Sequence, residues 1–128
     1  GYGSWQNSGR ESEIITSISA VEFKEKFKKN ELSILDVRAD NEWLSQHLLN
    51  KDSSDVQQLS LADINNKMST LERRKEYFIH CAGGYRSMIA SSILKSRGFE
   101  NIINIEGGFK AIQKAEMICS PFICPSKL

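Results

Sequence analysis

The sequence predicts an α/β fold, a parallel five-stranded sheet covered by helices on both faces. Short runs of apolar, β-branched and aromatic residues alternate along the chain with stretches of helical periodicity. Strands separated by helices in this way lie parallel, because the helix serves as the crossover. A cysteine-bearing, glycine-rich loop falls where one such strand hands over to a helix. That is the edge at which open α/β sheets bind ligands.

Glu13 to Ser17 is predicted as the first strand. Ser19 and Glu22 then form a capping box, and Phe23 and Phe27, one turn apart, make the inner face of a helix that ends at Asn30 or Glu31. Ser33 to Val37 is the second strand, with Asp40 as the expected cap of a short helix, Asn41 to His47, that buries Trp43 and Leu44. Val56 to Leu59 is the third strand. Ser60 is expected to cap a helix carrying Leu61, Ile64, Met68 and Leu71 at helical spacing, followed by the solvated connector Glu72-Arg73-Arg74-Lys75-Glu76. Tyr77 to Cys81 forms the fourth strand. Ser87 to Arg97 is predicted helical, with Ile89, Ala90, Ile93 and Leu94 on one face and Gly98 as its stop. Ile102 to Ile105 is the last strand and Phe109 to Ala115 the closing helix. Prolines at 121 and 125 imply an extended tail. The chain therefore divides into a short leading segment (1–10), one folded domain (11–117) and a tail (118–128).

With 128 residues, 40% of them hydrophobic and 26% charged, the chain has enough apolar surface for one core and too little for two. Seventeen basic side chains against sixteen acidic ones leave a net charge of +1. That balance gives no general attraction to nucleic acid or acidic membranes, and neither is expected as a partner. No apolar run approaches the roughly 18 residues of a membrane span. Three cysteines, Cys81, Cys119 and Cys124, are too few for a disulfide scaffold, so a reducing, cytoplasmic setting is expected. Two histidines do not make a metal site of the zinc-hydrolase kind, and no metal or other cofactor is expected.

The chemistry concentrates in Cys81-Ala82-Gly83-Gly84-Tyr85-Arg86, which sets a thiol at the end of an apolar run and closes a small-residue loop with arginine. Two glycines let the backbone fold back so that successive amide N–H groups converge on a concavity suited to an anion. The partial positive charge at the start of the next helix adds to that field, and both effects favour thiolate over thiol. Arg86 adds a permanent cation to close the loop and bind an anionic substrate. Asp36 and Arg38 end a strand on the same edge and are expected to give structural support, with Glu42 the natural partner of Arg38. His47 is expected to act as a hydrogen-bonding residue, and His80, one residue before Cys81 in a strand, to point to the opposite face of the sheet.

The loop resembles that of the rhodanese homology domain, whose catalytic cysteine opens a loop of this form and carries sulfur as a persulfide. Two further blocks are similar to that family in the family's order. Ile34-Leu35-Asp36-Val37-Arg38, with Glu42-Trp43 and His47-Leu48, resembles its strand-ending Asp-Val-Arg element. Asn104-Ile105-Glu106-Gly107-Gly108-Phe109 resembles its late strand and Gly-Gly turn. The resemblance, from Ile34 to about Ala115, implies a three-layer sandwich and a sulfurtransferase. Cys81 would be the catalytic residue, with Ala82, Gly83, Gly84, Tyr85, Arg86 and Ser87 holding the substrate. A small sulfur donor, thiosulfate or a persulfide, and a thiol or cyanide acceptor are its implied partners. Two departures are local: Gln46 stands where the family has glycine, and a longer polar loop, Leu49 to Asp55, replaces a Gly-Ala pair.

Two rival readings stay open at this point. Phosphatases and arsenate reductases of the same fold place five residues between cysteine and arginine, enlarging the cradle for a tetrahedral oxyanion. Here there are four, which favours sulfur. The other rival is a non-catalytic rhodanese-like module that binds or regulates a partner. Residues 1–9 match residues 108–116 at the glycine, aromatic and glutamine positions. The leading segment is therefore read as the tail of a preceding rhodanese module, with a linker as the alternative. An upstream rhodanese or metallo-β-lactamase-like domain is the implied context. Cys119 and Cys124 are read as packing residues, with a disulfide or a resolving thiol for Cys81 as the less favoured alternative.

Overall fold

A computed structural model of the chain describes residues 15–29, 31–49, 55–117 and 119–123. Its strands are β1 (Thr16–Ile18), β2 (Ser33–Asp36), β3 (Asp55–Gln58), β4 (Tyr77–His80) and β5 (Ile102–Ile105). Between and after them run α1 (Ala20–Lys29), α2 (Asp40–Ser45), α3 (Ile64–Lys67), α4 (Tyr85–Ser96) and α5 (Gly108–Lys114). The strands lie in the order β1-β5-β4-β2-β3, and every neighbouring pair is parallel. Side chains alternate between the faces of a strand. Leu35, Val37, Ile79 and Cys81 thus enter a core with Ile64, Ala90 and Leu94 from α3 and α4. Ile34, Phe78 and Ile105 enter a second core with Phe23, Phe27 and Ile112 from α1 and α5. A three-layer α/β sandwich results, as the alternation of patterns predicts.

Local signals that act within a few residues are met. The Glu22 N–H donates to Ser19 Oγ at 3.1 Å, capping α1. Gly98 ends α4 with φ +94°. Signals that need tertiary information are shifted. Helix α2 is preceded by Ala39, whose N–H donates to the Glu42 carboxylate at 3.0 Å, so Asp40 is the first helical residue and not the cap. The helix stops at Ser45, and its inward line runs through Ser45 and Leu48, leaving Leu44 54% exposed and Trp43 half-buried. The predicted single helix from Ser60 is a chain of short turns, with 3-10 segments Leu61–Asp63 and Met68–Thr70 flanking α3. Ile64, Met68 and Leu71 still reach the core, while Ser60 donates to the Asp63 carboxylate at 3.1 Å and caps no backbone group. Helix α4 begins two residues earlier than predicted and buries Ser87, Ala90, Ser91 and Leu94, with Ile89 only half-buried. Small residues on that face let the helix lie close against the sheet.

The tail is extended, and it is docked. Leu48 and Cys119 form an antiparallel bridge, and the N–H groups of Ser120 and Ile123 donate to the carbonyls of His47 and Ser45, each at 2.8 Å. The start of the predicted first strand, the leading segment 1–10, most of the long polar loop and Cys124 lie outside the described residues. Among the described residues no helix is long and apolar enough to cross a membrane.

Candidate active site

Strand β4 sits in the centre of the sheet and delivers Cys81 to its carboxyl edge. The chain then reverses within Ala82, Gly83 and Gly84, because Gly84 adopts φ +106°, a left-handed conformation that side chains disfavour. That reversal starts α4 at Tyr85, so Tyr85 and Arg86 belong to the first helical turn and not to the loop. The Gly84 N–H donates to Cys81 Sγ at 3.0 Å. Ser87 Oγ lies 3.6 Å from the same sulfur and 3.2 Å from the Gly84 carbonyl, to which its hydroxyl donates. The N–H groups in the first turn of α4 lack intrahelical acceptors, as at any helix start, and that turn follows directly on Gly84. Cys81 itself is 1% exposed.

The loop is held from behind by α5. Gly107 and Gly108 both have positive φ, +78° and +60°, and bring the helix start against the loop backbone. Phe109 N–H donates to the Cys81 carbonyl at 2.6 Å and Lys110 N–H to that of Ala82 at 3.2 Å. With those carbonyls turned toward α5, the N–H edges of the same planar peptides point away from that helix.

The arginines differ from expectation in one respect. Arg38 is buried and grips Asp36, with Nε to Oδ1 at 2.9 Å and Nη2 to Oδ2 at 2.8 Å, while Nη2 also donates to the Gln46 carbonyl at 2.7 Å. Its guanidinium lies 4.2 Å from the centre of the Phe109 ring. Arg38 and Asp36 thus tie β2, α2 and α5 together, a supporting place. Glu42 does not partner Arg38. It forms a two-pronged pair with Arg86, Oε1 to Nη1 at 2.7 Å and Oε2 to Nη2 at 2.9 Å. The Arg86 hydrogen bonds hold the Glu42 carboxyl down at about 2, and Glu42 in turn raises Arg86. Arg38 already has Asp36 two residues away, which leaves the carboxylate on α2 to the cation that opens α4. His47 stacks on Trp43 at 3.9 Å, with Nδ1 2.8 Å from the Trp43 carbonyl. His80 faces the layer opposite Cys81, against Phe109 and Asp36.

A family profile described as "Rhodanese-like domain" matches residues 19–115. The chain belongs to this family. Among curated relatives, this rhodanese-like domain is 36% identical over 98 residues to "Putative sulfurtransferase YtwF" of Bacillus subtilis, covering 76% of this chain and 89% of that protein. It is 30% identical to the tRNA uridine(34) hydroxylase of Chlamydia caviae, covering 77% of this chain but 30% of the relative. A rhodanese-like domain protein from Staphylococcus aureus matches the fold with a TM-score of 0.69 at 28% identity, over 77% of this chain and 91% of that one. A rhodanese-related protein from Thermoplasma volcanium gives the same score and identity, over 82% and 97%.

In the rhodanese-like domain one hollow opens beside Arg86 and another beside Ala82. The larger, about 700 Å³, is bounded by Val37, Asp40, Leu61, Asp63 and Arg86. The smaller, about 290 Å³, lies among Glu42, Ala82, Phe109, Lys110 and Phe122. The pinning of the loop by Phe109 and Lys110 was not read from the sequence, although the paired glycines before them mark a close backbone approach. The wall supplied by Phe122 has no local signal at all, since only the docked tail brings it there.

Proposed function

We propose that this rhodanese-like domain is a sulfurtransferase that moves sulfane sulfur from thiosulfate or a persulfide to a thiol or cyanide through a persulfide on Cys81. The observation that carries this reading is the 3.0 Å contact between the Gly84 N–H and Cys81 Sγ at the start of α4. Donors fixed around one sulfur atom stabilise negative charge there at no cost in reorganisation. In the first half-reaction the Cys81 thiolate attacks the outer sulfur of the donor. The donor S–S bond breaks, its electron pair leaves with sulfite or a thiolate, and Cys81 carries the terminal sulfur as a persulfide anion. In the second, the acceptor thiolate or cyanide attacks that terminal sulfur and the electron pair returns to Cys81. No proton has to move in either step, which suits a site whose histidines lie elsewhere.

The family match and the 36% identical relative support this reading. The hydroxylase relative is more than three times the matched length, and the activity it is named for belongs to that whole protein. Steady-state transfer from thiosulfate to cyanide, followed as thiocyanate, tests the proposal. Wild type should exceed Cys81→Ser by at least about a hundredfold. The near-complete burial of Cys81 favours a second reading, a non-catalytic module. Wild-type transfer no faster than that of Cys81→Ala would select it.

A further inference from the structure

The first turn of α4 carries one basic side chain, Arg86, and the structure shows it already engaged. Both prongs of its guanidinium meet both oxygens of Glu42, at 2.7 and 2.9 Å, with each side chain about one-third exposed, 35% and 33%. As a unit the pair has no net charge. The other arginine at this edge, Arg38, is consumed in the same way by Asp36 and by the Gln46 carbonyl. The larger hollow, which Arg86 borders, adds Asp40 and Asp63 and, among the described residues, no further basic side chain. Lys110 borders the smaller hollow, on the side of Ala82. A donor entering past Arg86 therefore meets a neutral pair, two carboxylates, and a sulfur that accepts from the Gly84 N–H.

We propose that Glu42 is a specificity-determining residue that makes the site select sulfur donors with a single negative charge over doubly charged ones. This rests on the sulfurtransferase reading and narrows its substrate class. The Gly84 N–H, 3.0 Å from Cys81 Sγ at the start of α4, favours one charge, on the attacked or terminal sulfur. A second charge, on the sulfonate end of thiosulfate, finds no unpaired cation beside Arg86 among the described residues lining the hollow, and lies in the field of Asp40 and Asp63. A unit charge several ångströms from an unpaired carboxylate changes an equilibrium by about tenfold in a partly solvated site. Glu42 acts through Arg86: removing its charge would free a cation for the second negative group.

Methanethiosulfonate and thiosulfate test the idea, because a methyl group in one replaces an anionic oxygen in the other. Both donate in the same way. The Cys81 thiolate takes the outer sulfur, the S–S bond breaks, and the electron pair leaves with methanesulfinate or sulfite. The readout is the ratio of kcat/KM for the two donors, compared between variants so that intrinsic reactivities cancel. Glu42→Gln should move the ratio about tenfold toward thiosulfate, chiefly through the thiosulfate KM, and Glu42→Asp should leave it near the wild-type value. Asp40→Asn with Asp63→Asn should move it the same way by about threefold, and carries the test if Glu42→Gln does not fold. A ratio unmoved by these changes while both donors load sulfur on Cys81 overturns the proposal, as does a ratio that responds to Lys110→Gln instead. If neither donor loads Cys81, the sulfurtransferase reading fails and the selectivity falls with it.

Discussion

At the scale of single residues, the surroundings of Cys81 are legible in the sequence because its neighbours in the chain are its neighbours in space. The thiol, the glycine that turns the backbone and the start of the helix all lie within a few positions. The pairing of Arg86 is not legible in this way. Its partner lies 44 residues earlier, on another helix, and nothing in local spacing ranks Arg86 above Arg38 as the claimant for Glu42. Ser87, one of the substrate-holding residues that the resemblance implies, brings its buried hydroxyl to 3.6 Å from the sulfur. Turned from the Gly84 carbonyl, that hydroxyl can donate to a thiolate or persulfide. Ser87→Ala should therefore lower sulfur transfer about tenfold, the size expected for one hydrogen bond to a charged group. Transfer rates measured beside urea midpoints check this, since a loss of rate without a matching loss of stability locates the effect at the sulfur.

At the scale of elements, strands were the easier reading and short helices the harder. A buried strand is marked by a run of four or so apolar residues, and Tyr77 to His80 needs nothing else. A helix of six residues such as α2 has too few turns for periodicity to reveal which side faces inward, so Leu44 and Ser45 exchange their expected places. The junction between α5 and the loop makes the sharpest claim. A Cβ on Gly108 would press into the Cys81 carbonyl oxygen and approach the Ala82 carbonyl carbon and oxygen, each at 2.8 Å, at a residue with φ +60°. Gly83 has no neighbouring atom within 4 Å of such a Cβ. Gly108→Ala should cost about 2–4 kcal/mol and disable the loop, whereas Gly83→Ala should stay within about 1 kcal/mol of wild type. Urea unfolding of the two variants distinguishes a loop that merely needs small residues from one pinned at a particular glycine.

At the scale of the whole molecule, the order of elements sufficed for a parallel sheet with two covered faces, because parallel strands need crossovers and helices fill that role. The docking of the tail along residues 45–48 did not follow from order, since an isolated extended segment carries no address. The sandwich also sets how stability responds to acid. His80 is fully buried, its Nδ1 3.2 Å from the Cys81 carbonyl and its Nε2 without a hydrogen-bond partner among the described residues, 3.8 Å from Asp36. Burial outweighs the attraction of Asp36 and lowers its pKa below the ordinary 6.5. The unfolded chain then takes up a proton near pH 6.5 that the folded one refuses. The stabilisation is whole above that pH and is lost as pH falls toward the folded value, by up to about 1.4 kcal/mol per unit. Glu42, held at about 2 against 4.5, adds a second loss confined to the interval between those values. Urea midpoints measured from neutral pH downward should therefore decline first below 6.5, and His80→Gln should flatten that first decline.

All three scales converge on the sulfur of Cys81, and the most direct measurement is the mass of the intact protein after incubation with a sulfane-sulfur donor. Wild type should gain the mass of one sulfur atom, mapped to Cys81 and removed by dithiothreitol, and Cys81→Ser should gain none. No gain on the wild type, or an equal gain on Cys81→Ser, would contradict a Cys81 persulfide.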